Sequence, residues 1–167
     1  MIYDNHNLDW LWDAELLLKN SGIMIVQTDY HTLKDVLVEM GEIFGDYNFV
    51  NHCIYINDWG GVPKKGFPQK HDDILIFSKG RNWKWNKDVV QISKKTAGTV
   101  FDKKGTGLKT SPNVFYDHVS FSTVSNERIK MNGKNIQWQK PLWLMDRLVA
   151  PFTSELLQVC RQCYLYS

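Results

Sequence analysis

The sequence predicts an α/β fold, and three observations carry that prediction. Residues 8–78 alternate helical and strand-like hydrophobic patterns. The last two strand candidates follow one another with no helix between them, the mark of an antiparallel pair. Beyond Gly80 the regular patterning gives way to lysines, tryptophans and glycines.

The first helix is expected over residues 9–18. Leu8, Leu11, Trp12, Leu16 and Leu17 form one apolar stripe, with Asp9, Asp13 and Glu15 at its edge. Asn7 caps it, and early acids suit the helix dipole. Asn20-Ser21-Gly22 ends it, with Gly22 in the positive-φ conformation of a helix stop. The continuous apolar run Ile23-Met24-Ile25-Val26 reads as a buried parallel strand. The polar turn Gln27-Thr28-Asp29-Tyr30-His31 follows, at the strand end where open α/β sheets bind ligands. Asp29 has two equal readings there, as a cap for the next helix or as a site residue.

A second helix is expected over residues 32–43, with Leu33, Val36, Leu37 and Met40 facing inward. Residues 49–56, Phe-Val-Asn-His-Cys-Ile-Tyr-Ile, form the next strand. His52 and Cys53 read as packed core residues, because no other Cys or His shares a metal-type spacing with them. Residues 57–69 are a long loop with three glycines and two prolines, of the length that is usually functional. It leads through Lys70-His71-Asp72-Asp73 into a buried strand over residues 74–78.

The bulk numbers fit one domain with a core: 167 residues, 43% apolar and 23% charged. No run of about 18 apolar residues spans a bilayer. The start, Met1-Ile2-Tyr3-Asp4-Asn5, lacks the basic and apolar regions of a signal peptide. Three cysteines without framework spacing point to a reducing compartment, the cytoplasm. Cys160-Arg161-Gln162-Cys163 is a C-x-x-C with no second pair to complete a zinc site, so no metal is expected.

The net charge of +2 hides a split. Residues 1–62 carry ten acidic and two basic residues, a local net of −8. Residues 79–135 carry twelve basic and four acidic residues, a local net of +8. In the basic part Arg81-Asn82-Trp83-Lys84-Trp85-Asn86-Lys87 interleaves cations with indoles, and Lys94-Lys95 and Lys103-Lys104 add further pairs. Cations neutralise phosphates and rings stack on bases, so this composition suits a nucleic-acid surface. A solvated lysine-rich surface, or a mobile insertion closing its own small core, is the alternative. Gly98, Gly105, Gly107 and Gly133 break regular structure, leaving short strands at residues 89–92 and 121–124. Order returns at Gln139-Lys140-Pro141. Pro141 opens a helix carried by Leu142, Leu144, Met145, Leu148 and Val149, which Pro151 stops.

With these residues in order, the chain resembles the amino-methylating DNA methyltransferases of the β arrangement, the DNA methylase N-4/N-6 family. The carriers are the strand entry Gln69-Lys70-His71-Asp72-Asp73-Ile74-Leu75-Ile76-Phe77-Ser78-Lys79, the basic insert, and Gln139-Lys140-Pro141 before a leucine-rich helix. The resemblance covers about residues 8–153 and implies a partial Rossmann-like methyltransferase sheet with a strand hairpin and an irregular basic insert. It divides the chain into a core over 1–79, a target-recognition insert over 80–135, a return to the core over 136–153, and an atypical tail over 154–167.

The resemblance implies S-adenosyl-L-methionine as cofactor, lying against Gln139, Lys140 and Pro141. It implies double-stranded DNA as partner. Lys70, His71 and Asp72 would border the pocket of a flipped-out target base. Lys79, Arg81, Trp83, Lys84, Trp85, Lys87, Lys94, Lys95, Lys103 and Lys104 would contact DNA. The setting is bacterial or phage restriction–modification. No catalytic residue is assigned: the family's Asp-Pro-Pro-Tyr or Ser-Pro-Pro-Tyr is nowhere in the sequence, and no Gly-x-Gly follows Thr153. The expectation is therefore a methyltransferase piece, truncated at both ends, inactive alone and completed by another chain. The alternatives are a non-catalytic DNA-binding remnant or subunit, and a lysine-rich α/β protein whose insert binds a protein.

Overall fold

A computed structural model describes residues 7–57, 61–117, 128–135 and 139–153. They fall into two units, one of residues 1–83 with 113–120, the other of residues 84–112 with 121–167. The expected strand over residues 121–124 and the C-x-x-C lie outside the described residues.

The first unit holds helix α1 (Asp9–Leu17), strand β1 (Ile23–Thr28), helix α2 (Leu33–Phe44), strand β2 (Phe49–Ile56) and strand β3 (His71–Ser78). Strand β6 (Val114–Tyr116) joins them, from a stretch the sequence pattern leaves inside the irregular insert. The sheet order is β1-β3-β2-β6. Strand β3 pairs antiparallel with both β1 and β2, and β6 runs parallel to β2. The expected β2–β3 hairpin is therefore present, and β1 and β2 run in one direction, as a helical crossover requires. The expectation of parallel pairing for β1 is corrected. Its apolar run reports burial, whereas β3, inserted between β1 and β2, decides the direction of pairing.

Strand β3 is buried along residues 73–78 because a strand flanks it on each side. One sheet face contributes Met24, Val26, Leu75 and Phe77 to a core with Leu11, Val36, Met40 and Phe44 from the helices. Phe77 packs on Phe44 and Phe49, with ring centroids 5.8 and 5.1 Å away. On the opposite face Cys53, Tyr55, Ile74 and Ile76 are buried.

The inner stripe of α1 differs from the expected one. Leu8, Leu11, Ala14 and Leu18 face the core, whereas Leu16 and Leu17 stand in solvent, 74% and 88% exposed. Two leucine rows overlap in the sequence, and the row at spacings of three and four from Leu11 is the one buried. Trp12 is half-exposed and donates its indole N–H to Glu39, tying α1 to α2. Asn7 does receive the Asp9 amide, 2.8 Å away. Gly22 is not at positive φ; Leu18, in extended conformation, turns the chain out of the helix. On α2, Leu37 is exposed and Phe44 takes the predicted inner role. The left-handed stop belongs to Gly45 (φ +79°), and Asn48 donates to the Phe44 carbonyl at 2.7 Å.

The second unit holds β4 (Gln91–Ser93) antiparallel to β5 (Leu108–Thr110), β7 (Lys130–Met131) antiparallel to β8 (Lys134–Asn135), and helix α3 (Leu142–Val149). Asn132 and Gly133, both at positive φ, close the β7–β8 turn. Pro141 caps α3, Leu144 and Leu148 are its buried face, and a 3-10 turn at Ala150–Phe152 ends it.

Candidate functional site

The parallel strands β1, β2 and β6 end on one side of their sheet, beside the start of β3. The pairs Thr28↔Asp73, Ile56↔His71 and Ile56↔Tyr116 fix this. Polar side chains gather there, at the ends where open α/β sheets bind ligands.

Asp73 is the centre of one cluster. It is 2% exposed, and its Oδ1 lies 2.7 Å from His52 Nε2. Its Oδ2 has no hydrogen-bond partner among the described residues, and His71 Nε2 stands 3.9 Å from it. Both imidazoles are about two-fifths exposed, so solvent reaches the rings but not the carboxylate. His71 and Asp73 share a sheet face because they are two residues apart in a strand.

Asp72 faces the other way, and its Oδ2 accepts from Gln27 Nε2 at 2.9 Å. Lys70, His71 and Asp72 therefore do not converge on one point. The Lys70 carbonyl receives the Asn57 amide at 2.9 Å, and the His71 carbonyl receives Gln69 Nε2 at 3.0 Å, which fastens the base of the hairpin loop. His52 is corrected from a packed core residue to a half-exposed partner of a buried carboxylate. Cys53 is buried as expected, and burial pushes its thiol up to about 11.

The two readings of Asp29 resolve to capping. Its Oδ1 accepts from the backbone of His31 and Thr32 and from the Thr32 hydroxyl, at 3.0–3.1 Å. At the end of β6, Asp117 accepts from the Tyr55 hydroxyl at 2.8 Å and its backbone N–H bonds the Ile56 carbonyl.

Among the insert cations, Lys79 reaches back to α1, bonding the Glu15 carbonyl at 2.9 Å and its carboxylate at 3.1 Å. Arg81 is exposed and Trp83 half-buried. In the second unit Lys84, Lys87, Lys95, Lys103 and Lys104 are exposed. Lys94 donates to Asp102 at 2.6 Å, and the Gly107 amide also donates to Asp102 at 2.6 Å. These bonds, led by that of Lys94, hold the Asp102 carboxyl below its ordinary range. Trp85 is half-exposed and packs on Phe152, ring centroids 5.3 Å apart. Gln139 is buried, its Oε1 accepting the Ile129 amide at 2.8 Å; Lys140 is half-buried and Pro141 buried.

Strand alternation could have joined His71 to Asp73 from the sequence alone. Nothing in the sequence pairs His52 with Asp73, 21 residues on, or Gln27 with Asp72, 45 residues on.

Among the described residues no group of His, Cys, Asp or Glu is arranged to hold a metal ion, and no helix is long and apolar enough to cross a membrane. No protein of curated function matches the chain in sequence. Among solved structures, the crystal structure of the M1.HpyAVI–SAM complex is similar in fold, with a TM-score of 0.52 at 15% identity. The match covers 90% of this chain and 62% of that one, so this chain spans about three-fifths of its length. The family model of the N-6/N-4 DNA methylases matches residues 2–156, and the chain belongs to that DNA methylase family.

Proposed function

We propose that this chain is part of a site-specific DNA methyltransferase, acting in the cytoplasm, that moves a methyl group from S-adenosyl-L-methionine to the exocyclic amine of adenine or cytosine in DNA. The family match over residues 2–156 carries this reading. The polar cluster at the carboxyl ends of β1, β2 and β6 supports it, because such ends are where α/β sheets take ligands.

Gln139, Lys140 and Pro141 are the residues proposed to lie against the cofactor. Gln139 and Pro141 are buried, which suits packing along a ligand rather than clamping its charge. When bound, the cofactor supplies an electrophilic methyl group. The chain's own part is to hold the acceptor base and the DNA. An amine inside the duplex stack is unreachable, so the base is extruded. Of Lys70, His71 and Asp72, His71 borders the proposed pocket, on the sheet face where the buried Asp73 fixes the ring orientation of His52, while Lys70 and Asp72 lie on the other face. Arg81, Trp83, Lys84, Trp85, Lys87, Lys95, Lys103 and Lys104 form the proposed DNA-facing set, whereas Lys79 and Lys94 are taken up by Glu15 and Asp102.

The isolated chain binds DNA without turnover on this reading. Neither Asp-Pro-Pro-Tyr nor Ser-Pro-Pro-Tyr is in its sequence, and a complementing chain would supply the reacting groups. That same observation favours the second reading, a non-catalytic DNA-binding subunit of a modification system. Duplex binding with steep salt dependence supports both, and salt-independent or absent binding overturns both. Stabilisation by S-adenosylmethionine in a thermal shift favours the methyltransferase part over the subunit. Methyl transfer to DNA by the isolated chain would overturn the claim of dependence on a second chain.

A further inference from the structure

The sheet of the first unit ends in two unlike edges, β1 and β6. Strand β6 is three residues long and follows Pro112, and a short edge with a nearby proline resists further pairing. Strand β1 has neither protection. It runs Ile-Met-Ile-Val-Gln-Thr, without charge or proline, in unbroken register with β3 from Ile23 to Thr28. The Lys79 amide donates to the Gly22 carbonyl at 2.9 Å, so the Gly22 carbonyl faces β3. By the alternation of an antiparallel ladder, Met24, Val26 and Thr28 face β3 as well, and Ile23, Ile25 and Gln27 turn their N–H and C=O groups outward. Those outward groups have no hydrogen-bond partner among the described residues. Bare apolar surface stands beside them. Trp10 and Leu17, 50% and 88% exposed, share the flank of α1 opposite Trp12, which bonds Glu39 of α2. Because α2 crosses from β1 toward β2, this flank is the one beside the open edge.

We propose that the open edge of β1 pairs antiparallel with the same edge of a second copy of this chain, joining two sheets into one. The edge is self-complementary. With Ile25 on the two-fold axis, Ile25 meets its symmetry mate and Ile23 meets Gln27, so every outward donor finds an acceptor. The two α1 flanks then close over the seam and cover Trp10 and Leu17. Edges and flanks together bury on the order of 1,000 Å², near the lower end for specific pairs, a size that suits a weak dimer of roughly micromolar order. Charge opposes the approach, because residues 1–62 of each copy carry a local net of −8. Salt therefore strengthens this dimer, whereas it weakens any contact between the acidic segment of one copy and the basic insert of another. The inference is independent of the DNA reading above.

The test uses the full chain in sedimentation equilibrium across a concentration and salt series, with hydrogen exchange read at single amides. The wild type is expected to pass from monomer to dimer, more readily as salt is added. The amides of Ile23, Ile25 and Gln27 should slow as the dimer forms, while those of Met24 and Val26, bonded to β3, are slow throughout. Ile25→Pro removes the donor on the axis from a strand edge that tolerates proline. Leu17→Glu puts like charges on the seam at a side chain already in solvent, so it keeps the fold even if the proline variant does not. Each should weaken the dimer about tenfold. A wild type that stays monomeric up to about 100 μM, with fast exchange at the three outward amides, would overturn the proposal. So would a dimer that keeps its strength in Leu17→Glu and in a folded Ile25→Pro. A dimer that salt dissolves would also overturn it and assign the contact to the acidic segment and the basic insert.

Discussion

Nε2 of His52 lies 2.7 Å from Oδ1 of Asp73, a carboxylate only 2% exposed in the central strand of the sheet. The other carboxylate oxygen has no hydrogen-bond partner among the described residues. A buried carboxylate without a donor suffers its full desolvation penalty, so the pair is worth most as what its loss would leave behind. His52→Ala should destabilise the chain by about 2–3 kcal/mol in urea unfolding. Adding Asp73→Asn to it should restore part of the loss, because a neutral amide is easier to bury than an orphaned charge. A double variant less stable than His52→Ala would refute this account.

Cys53 lies on the opposite sheet face, and burial raises its thiol from 9.0 to about 11. Because the folded value is raised, the linked stability is fully present below pH 9.0 and is lost as pH rises through about 11. The practical consequence is inertness. With Cys160 and Cys163 changed to serine, iodoacetamide at pH 8 should leave the native chain unmodified and label Cys53 once urea unfolds it. Fast labelling of the folded chain would show that the thiol is reachable.

Gly80, just after β3, is set by a close approach rather than by its backbone angle. A Cβ there would stand 2.6 Å from the Asn20 carbonyl oxygen, which is backbone and cannot swing away. Gly80→Ala should therefore cost about 1–3 kcal/mol by thermal or urea unfolding. Alanine tolerated without loss would show that the 18–22 connection moves freely against the end of β3.

Much of the first unit was readable from the sequence because its signals are local. Phe49–Ile56 has the β-branched and aromatic content of a strand, and both of its ends agree with the pattern. The direction of β1 was not readable: the run Ile23-Met24-Ile25-Val26 suggests burial on both faces, whereas only Met24 and Val26 of it are buried, and β3, arriving some fifty residues later, sets the pairing. The inner face of α1 was ambiguous because five leucines within eleven residues offer two rows. Strand β6 is three residues long, and its pairing with β2 is fixed by tertiary context alone. Asn132–Gly133 was readable by turn chemistry, although the pattern around it suggested only a break. At the site, the basic composition of the insert was visible, but which lysines are occupied within the fold was not, since their acids lie on other turns or another helix.

Lys94 and Asp102 show why that distinction has consequences. Asp102 gathers the Lys94 ammonium and the Gly107 amide, each at 2.6 Å, and so closes the turn that joins β4 to β5. Lys94 also donates its own amide to the Gly107 carbonyl at 2.8 Å. The turn thus holds Lys94 at both ends, while Lys95, Lys103 and Lys104 project from it exposed. Lys94→Ala should leave the salt slope of duplex binding nearly unchanged and instead speed hydrogen exchange at the Gly107 amide. Alanine at Lys95, Lys103 or Lys104 should lower the slope by about 1 each and leave that amide protected. The Asp102 carboxyl is held below its ordinary value of 3.8, so its contribution is present above that pH and is lost as pH falls through the folded value. Asp102→Asn should accordingly remove part of the acid-side loss of stability in melting curves taken below about pH 4. If Lys94→Ala instead lowers the slope as the exposed lysines do, the ammonium leaves Asp102 for phosphate when DNA binds, and the turn is held by the backbone bonds alone.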